Sequence, residues 1–407
     1  MEGIDKMSKP VIVIYKGQSQ YNVLRSFADD IAEGFNEYGY ETAIIDLSQS
    51  NFADDLMTIL NKKNVMCFFS FNGMGIDIAT NDGKSLYDQL GIPFFAFFVD
   101  HPFYHAGRMN AHPNSLTGAK RQIFSFLDRK QVEFANRHVE SQSAKIFMPH
   151  AASHFNAKNI PVKPLQERGT EVFMPGSYSD PDSHRNVWQQ WGPIMAELME
   201  QLLEDALANP EQTLEYSFNE VLYRKGMASD TLYTDKTFEF LRVADSYLRS
   251  KYRHELVCEL QEFNLHVTGN GWENFKGNKG KMRISPAMSY ESMIKEMQNS
   301  KIVINAFPTY GQHSHERVFD AGASGAVVFT ASSPYFRECF GLERHVQYFD
   351  PFESRSGAVR EILGSLSDVQ GSVDAGREFV LNHHQWKHRA GSILEHVFIH
   401  TNLVQQR

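Results

Sequence analysis

No stretch of this chain is apolar for long enough to cross a bilayer. A membrane helix needs roughly 18 apolar residues or more. The most apolar runs, Val65-Met66-Cys67-Phe68-Phe69 and Ile92-Pro93-Phe94-Phe95-Ala96-Phe97-Phe98-Val99, are far shorter and read as buried strands. No secretory leader is expected either, because Met1 to Pro10 is polar and leads straight into a strand. Cysteine is scarce. Cys67, Cys258 and Cys339 lie far apart, without metal-ligand spacing and without the even count of a disulfide framework. A reducing cytoplasm is the expected compartment. Positive charge is in deficit: 40 Lys and Arg against 49 Asp and Glu leave a formal charge of -9. Nucleic-acid binders gain affinity from basic surfaces, so no nucleic-acid partner is expected. A local basic pocket for one diphosphate is compatible with that balance.

The 407 residues exceed one ordinary core and predict two domains. With 42% apolar and 22% charged residues, the composition is that of a globular protein. Strand-like runs at Val11 to Tyr15, Glu41 to Leu47, Val65 to Phe69, Phe94 to Val99 and Lys145 to Met148 alternate with helical segments such as Tyr21 to Glu37. A second series follows at Glu171 to Met174, Leu265 to Thr268, Lys301 to Phe307, Ala326 to Thr330 and Val346 to Phe349. Strands separated by helices imply parallel sheets covered on both faces. The fold class is therefore α/β, with two doubly wound, Rossmann-like domains, 1–160 and 170–385, and a last helix over 386–407. The Pro-containing stretch 159–169 reads as the linker. A helical insert fills about 185–250. Two such domains facing each other would leave a cleft at the carboxyl ends of their strands.

The densest motif is His313-Ser314-His315-Glu316-Arg317-Val318-Phe319-Asp320-Ala321-Gly322-Ala323-Ser324-Gly325. It follows one apolar strand, forms a short amphipathic helix and enters another strand. A polar, basic helix start at the end of a buried strand is where α/β proteins hold phosphates. Arg317 and the backbone N–H groups near His313, Ser314 and His315 are candidates for a diphosphate. Asp320, one turn on, is a candidate for a ribose diol, since a carboxylate accepts from two hydroxyls. Together they suggest a nucleotide sugar, and hence a glycosyltransferase. Read blandly, Arg317 is a surface arginine beside a capping Ser314, and Asp320 a solvated acid. Gly176 and Ser177 follow a strand, where glycine lets backbone approach a phosphate. Gly271, in Gly269-Asn270-Gly271-Trp272, and Arg283 beyond it are candidates for shaping a base pocket.

From Phe173 to Arg389 the chain resembles GT-B-type glycosyltransferases, specifically the group with spore-maturation-protein-like members. The residues that carry the resemblance are Phe173-Met174-Pro175-Gly176-Ser177-Tyr178, Gly269-Asn270-Gly271-Trp272, Ile304-Asn305-Ala306-Phe307-Pro308, His315-Glu316-Arg317-Val318-Phe319-Asp320-Ala321 and His384-Gln385-Trp386-Lys387-His388-Arg389. The N-terminal half resembles the companion domain through Val99-Asp100-His101-Pro102. Asp320 departs from the pattern, since relatives often carry glutamate there, and the helical insert is a second departure. The resemblance implies a hexosyltransferase-like enzyme that takes a nucleotide-sugar donor through its C-terminal domain and an acceptor, unidentified, through its N-terminal domain.

Transfer to a hydroxyl profits from a base. Asp100 and His101 end the most apolar strand of the first half, and adjacent residues in an extended segment point opposite ways. His101 is the favoured base, against its plain reading as a histidine bonded to local backbone before Pro102. The spacing of His383, His384 and His388 allows two of them on one helix face, but no third metal ligand is placed. Neither a metal nor a cofactor is expected, because a helix dipole and an arginine can stabilise a leaving diphosphate. A sugar-nucleotide epimerase of the same fold and a non-catalytic binding relative are the alternatives.

Overall fold

In a computed structural model the chain is described over residues 9–111, 121–156, 159–227, 233–278, 282–306, 314–340, 346–349 and 354–405. It divides into two compact units, Met1–His154 with Gln385–Arg407, and Phe155–His384. The chain thus passes between units at residues 154–155 and again at 384–385. Among the described residues, no helix is long and apolar enough to cross a membrane.

The N-terminal unit carries a parallel sheet of β1 (Val11–Lys16), β2 (Glu41–Asp46), β3 (Val65–Phe71), β4 (Phe94–Phe98), β5 (Gln122–Phe126) and β6 (Ala144–Phe147), in the order β2-β1-β3-β4-β5-β6. Strands covered on both faces need apolar side chains on both, which explains the unbroken Phe-rich runs of β3 and β4. Phe69 stacks on Phe95, with ring centroids 6.0 Å apart, and Tyr15 stacks on Phe68 at 5.8 Å. β5 was not foreseen from the sequence. Gln122 and Ser125 break its apolar pattern, yet both are buried because the strand lies between β4 and β6. The last helix, Trp386–Gln405, packs on helix Val23–Glu37. Contact is close at Gly34, where a Cβ would meet the Lys387 backbone at 2.8 Å. Trp386 is buried against Phe27, Phe71 and Phe97 at 5.1–5.4 Å between rings. Burying a side chain of that size contributes about 2–3 kcal/mol.

The second unit has β7 (Thr170–Pro175), β8 (Leu265–Thr268), β9 (Arg283–Ser285), β10 (Ser300–Asn305), β11 (Val327–Ala331) and β12 (Val346–Phe349), ordered β12-β11-β10-β7-β8-β9. The short edge strand β9 was also not foreseen. Between β7 and β8 the insert forms helices Pro181–Trp188, Pro193–Ala208, Leu214–Arg224 and Asp235–Leu260. The chain runs outward one way through β8 and β9, and the other way through β10, β11 and β12. The switch point therefore lies between β7 and β10. In doubly wound sheets the crevice outside the carboxyl ends at that point is where ligands bind. In the N-terminal sheet the corresponding point lies between β1 and β3.

Candidate functional site

At the switch point of the second unit, β7 runs into Gly176 and Ser177. Gly176 (φ 139°), Gly269 (φ 141°) and Gly271 (φ 84°) all have conformations that other residues rarely adopt. The loops after β7 and β8 touch through backbone. A Cβ on Gly269 would lie 2.6 Å from Gly176 O, and one on Gly271 would lie 2.1 Å from Tyr178 O. Tyr178 N donates to Asn270 O at 2.8 Å, and the Trp272 Nε1–H donates to Gly176 O at 2.8 Å. Trp272 stacks on Tyr178 and is a core residue. Gly271 thus serves loop packing, and Gly176 and Ser177 stand at the carboxyl end of β7.

Arg317 stands beside them in the fold, at the carboxyl end of β10. The helix Glu316–Ala323 begins at His315, whose Nδ1 accepts from Arg317 N at 3.2 Å. The same Nδ1 lies 2.8 Å from Glu316 Oε2, a contact that needs a proton there. Burial pushes the His315 pKa down, so we assign the neutral ring and the cap. Ser314 is buried just ahead of the cap. His313 lies outside the described residues. The Arg317 guanidinium donates to Asn305 Oδ1 at 3.1 Å, and Asn305 Nδ2 donates to Thr330 Oγ1 at 2.9 Å, which fixes the amide over β10 and β11. Among the described residues Arg317 makes no ion pair within 4.0 Å. Burial lowers its pKa, but a guanidinium stays charged at neutral pH. The arrangement is a half-buried cation held by a neutral amide at a helix start.

Two further guanidiniums approach this edge, and the sequence reading missed both. Arg249 and Arg253 are one turn apart near the end of helix Asp235–Leu260, hence on one face. Arg253 Nη1 donates to Ser177 O. Arg249, paired with Asp245 at 2.7 Å, is close enough to His315 to depress its pKa. The Arg-x-x-x-Arg spacing was the available signal, but it lies where the insert was taken to end.

Two expected site residues lie elsewhere. Asp320 is 0% exposed. Its Oδ1 accepts from Asn156 Nδ2 at 3.3 Å and its Oδ2 from the Tyr290 hydroxyl. The expectation of a ribose ligand is corrected on this geometry: the carboxylate is packed inside the unit. Arg283 begins the edge strand β9 and reaches the amino end of β7, away from Gly176. Its Nη2 is 2.6 Å from Glu296 Oε1 and 3.1 Å from Thr170 Oγ1. Burial alone would raise the Glu296 pKa, but His266, Thr170 and Arg283 together hold it low.

In the N-terminal unit His101 is 2% exposed. It caps helix Pro102–Met109, accepting from Phe103 N at 3.4 Å, and stacks on Phe103. The geometry therefore matches its plain reading rather than that of a base. Asp100 differs, with a side chain 41% exposed. Its Oδ2 accepts from Asn72 Nδ2 at 3.0 Å and lies 3.4 Å from His105 Nε2.

Comparison with known proteins agrees with this architecture. A glycosyltransferase from Rickettsia africae ESF-5 superposes with a TM-score of 0.50 at 11% identity, covering 98% of this chain and 100% of its own. An alpha-glucosyltransferase in complex with UDP and a 13-mer DNA containing an HMU base gives 0.52 at 11% identity, over 97% and 100%. Anabaena Alr3699/HepE in complex with UDP and glucose gives 0.50 at 8% identity, over 95% and 99%. At such identities the likeness is one of fold, and the fold is GT-B. Residues 249–395 match the sequence model of a family described as "Glycosyl transferase-like", a segment that starts at Arg249 and includes Arg317. No curated protein matches the sequence.

Proposed function

We propose that this chain is a glycosyltransferase of the spore-maturation-protein-like group, moving a hexose from a nucleoside-diphosphate sugar to an acceptor hydroxyl. The observation that carries the reading is Arg317: a half-buried cation bonded to a neutral amide at the β7/β10 switch point, with Arg249 and Arg253 near the same edge. A charge partly withdrawn from water gains from a partner, and a diphosphate would supply one. The family match over residues 249–395 and the UDP complexes of neighbours with the same fold support the same donor class.

Charge develops on the diphosphate as the sugar leaves. Guanidiniums and the N–H groups at a helix start stabilise that charge without rearranging. Three arginines can supply what a divalent ion supplies elsewhere, so the transfer is proposed to be metal-independent and to need no cofactor. Asp100, exposed where His101 is not, is the acceptor-side base. The net charge of -9 counts against a nucleic-acid acceptor. A cytoplasmic location goes with this reading, since nucleotide sugars and free thiols are both at home there.

Calorimetry with UDP, GDP and ADP tests the donor site. Arg317→Ala is expected to weaken the nucleotide that binds wild type by about ten- to a hundredfold, the worth of a lost charge-assisted contact. Arg283→Ala, altered at the amino end of the sheet, is expected to leave that affinity within about twofold. Equal binding by Arg317→Ala and wild type would refute the assignment. Incubation with labelled donor alone separates transfer from epimerisation, since only an epimerase returns an isomeric nucleotide sugar.

A further inference from the structure

The three cysteines differ in what surrounds the sulfur. Cys67 is buried in β3, and burial pushes its thiol pKa up to about 12. Cys258 is exposed on helix Asp235–Leu260. Cys339 is half-buried near the end of helix Pro334–Phe340. Its Sγ lies 3.0 Å from His384 Nε2, with Nδ1 farther off at 3.9 Å. The histidine is 8% exposed and sits among aromatic rings. It stacks on Phe319 with centroids 5.1 Å apart, and the Phe379 ring lies 5.3 Å away. Phe336, three residues before Cys339 and so on the same helix face, meets Phe319 at 6.3 Å. All these residues belong to the second unit. The ring is therefore aimed at the sulfur and cannot turn away without leaving its aromatic seat. A thiolate is the reactive form of cysteine, and a neighbouring imidazole generates it by taking the proton. Arg337 and Glu338, beside Cys339 on its helix, are both exposed. His383 turns its Nδ1 to Phe379 O at 2.9 Å, while Arg317 and Asp320 are directed to Asn305 and Tyr290. His384 is thus the proton acceptor placed at this sulfur.

We infer that Cys339 and His384 form an oxidation site, in which the histidine activates the thiol toward hydrogen peroxide and the product is a sulfenic acid. This chemistry is independent of the proposed transfer reaction. In the step, the Cys339 proton passes to His384 Nε2. The thiolate sulfur attacks one oxygen of the peroxide, so that a sulfur–oxygen bond forms and the oxygen–oxygen bond breaks. The leaving hydroxide takes the proton from the imidazolium and departs as water. Sulfur gives up two electrons and the peroxide accepts them. A sulfenic acid is the reversible rung of cysteine oxidation, and an added thiol returns it to the starting state. Cys67 is excluded from this chemistry by burial. Cys258 serves as the internal standard, because it is the more accessible of the other two. Access alone favours Cys258, so faster reaction at Cys339 would come from the sulfur itself.

The test uses the full chain and reads each cysteine separately by peptide mass spectrometry. With iodoacetamide at about pH 6.5, Cys339 is expected to be alkylated about tenfold or more faster than Cys258. The ratio should shrink toward about pH 9.5, because ordinary thiols ionise near about 8.5. In urea the two rates should become equal. His384→Gln is expected to slow Cys339 about tenfold or more at the lower pH while leaving Cys258 unchanged. After hydrogen peroxide, dimedone should mark Cys339 and neither of the other cysteines, and dithiothreitol given before dimedone should abolish the mark. Cys339→Ser should carry no mark. Alkylation of Cys339 no faster than Cys258 at about pH 6.5 would overturn the site, as would a rate indifferent to His384→Gln or the absence of a dimedone adduct. Should His384→Gln unfold, Cys67 becomes labelled as well; the pH dependence of the wild-type ratio then decides, and a constant ratio would overturn the role of His384.

Discussion

Replacing Gly271 with alanine tests what the loop glycines are for. The new Cβ would lie 2.1 Å from Tyr178 O, a backbone atom that cannot rotate away. Relief requires the two loops to part by about 1 Å in an interior packed to crystal density. The positive φ of 84° adds about 1–2 kcal/mol for any residue with a Cβ. Parting the loops also breaks the 2.8 Å bond from Tyr178 N to Asn270 O and the 2.8 Å bond from Trp272 Nε1 to Gly176 O. Each is worth about 1 kcal/mol net. The expected loss is therefore about 3–4 kcal/mol, or roughly 6–16 °C in Tm for a unit of this size. The assay is urea unfolding followed by tryptophan fluorescence, with calorimetry for Tm. Gly176→Ala is the comparison, because the nearest group its Cβ would meet is the Arg253 guanidinium, at 3.4 Å, and the loss should be smaller. A loss below about 1 kcal/mol in Gly271→Ala would refute close loop packing as the reason for that glycine.

Asp320→Ala should cost about 2–4 kcal/mol, because Tyr290 and Asn156 lose a buried acceptor, while nucleotide affinity of the folded protein stays near wild type. Loss of affinity at undiminished Tm would restore the ribose role. In the N-terminal unit the hydrogen bond that His154 Nδ1 donates to the Asp30 carboxylate raises the pKa of His154 against the opposing effect of burial. A histidine whose folded pKa is raised contributes stability in full below its unfolded value and loses it as pH climbs through the folded one. The Tm gap between wild type and Asp30→Asn should thus be widest near about pH 6 and narrow toward about pH 9. A gap that stays constant over that range would count against the pair.

The amino-acid sequence by itself determined the class of fold. Uninterrupted apolar runs such as Phe94 to Phe98 tolerate only strands buried on both faces, and those demand a parallel sheet with helices on each side. It also marked the helix start at His315 and Arg317, because a polar start after a buried strand is a local pattern. What only the tertiary structure decided was which side chains share an edge. Asp320 looks like a solvated helix acid until Tyr290 and Asn156, from distant segments, close over it. Arg283 follows the Gly-Asn-Gly-Trp loop in sequence, yet its strand places it at the opposite end of the sheet. Arg249 and Arg253 offer only an Arg-x-x-x-Arg spacing, and they gain meaning from a switch point formed by strands far apart in the chain. Local sequence sets periodicity and conformational preference, whereas burial and charge pairing depend on contacts between remote segments.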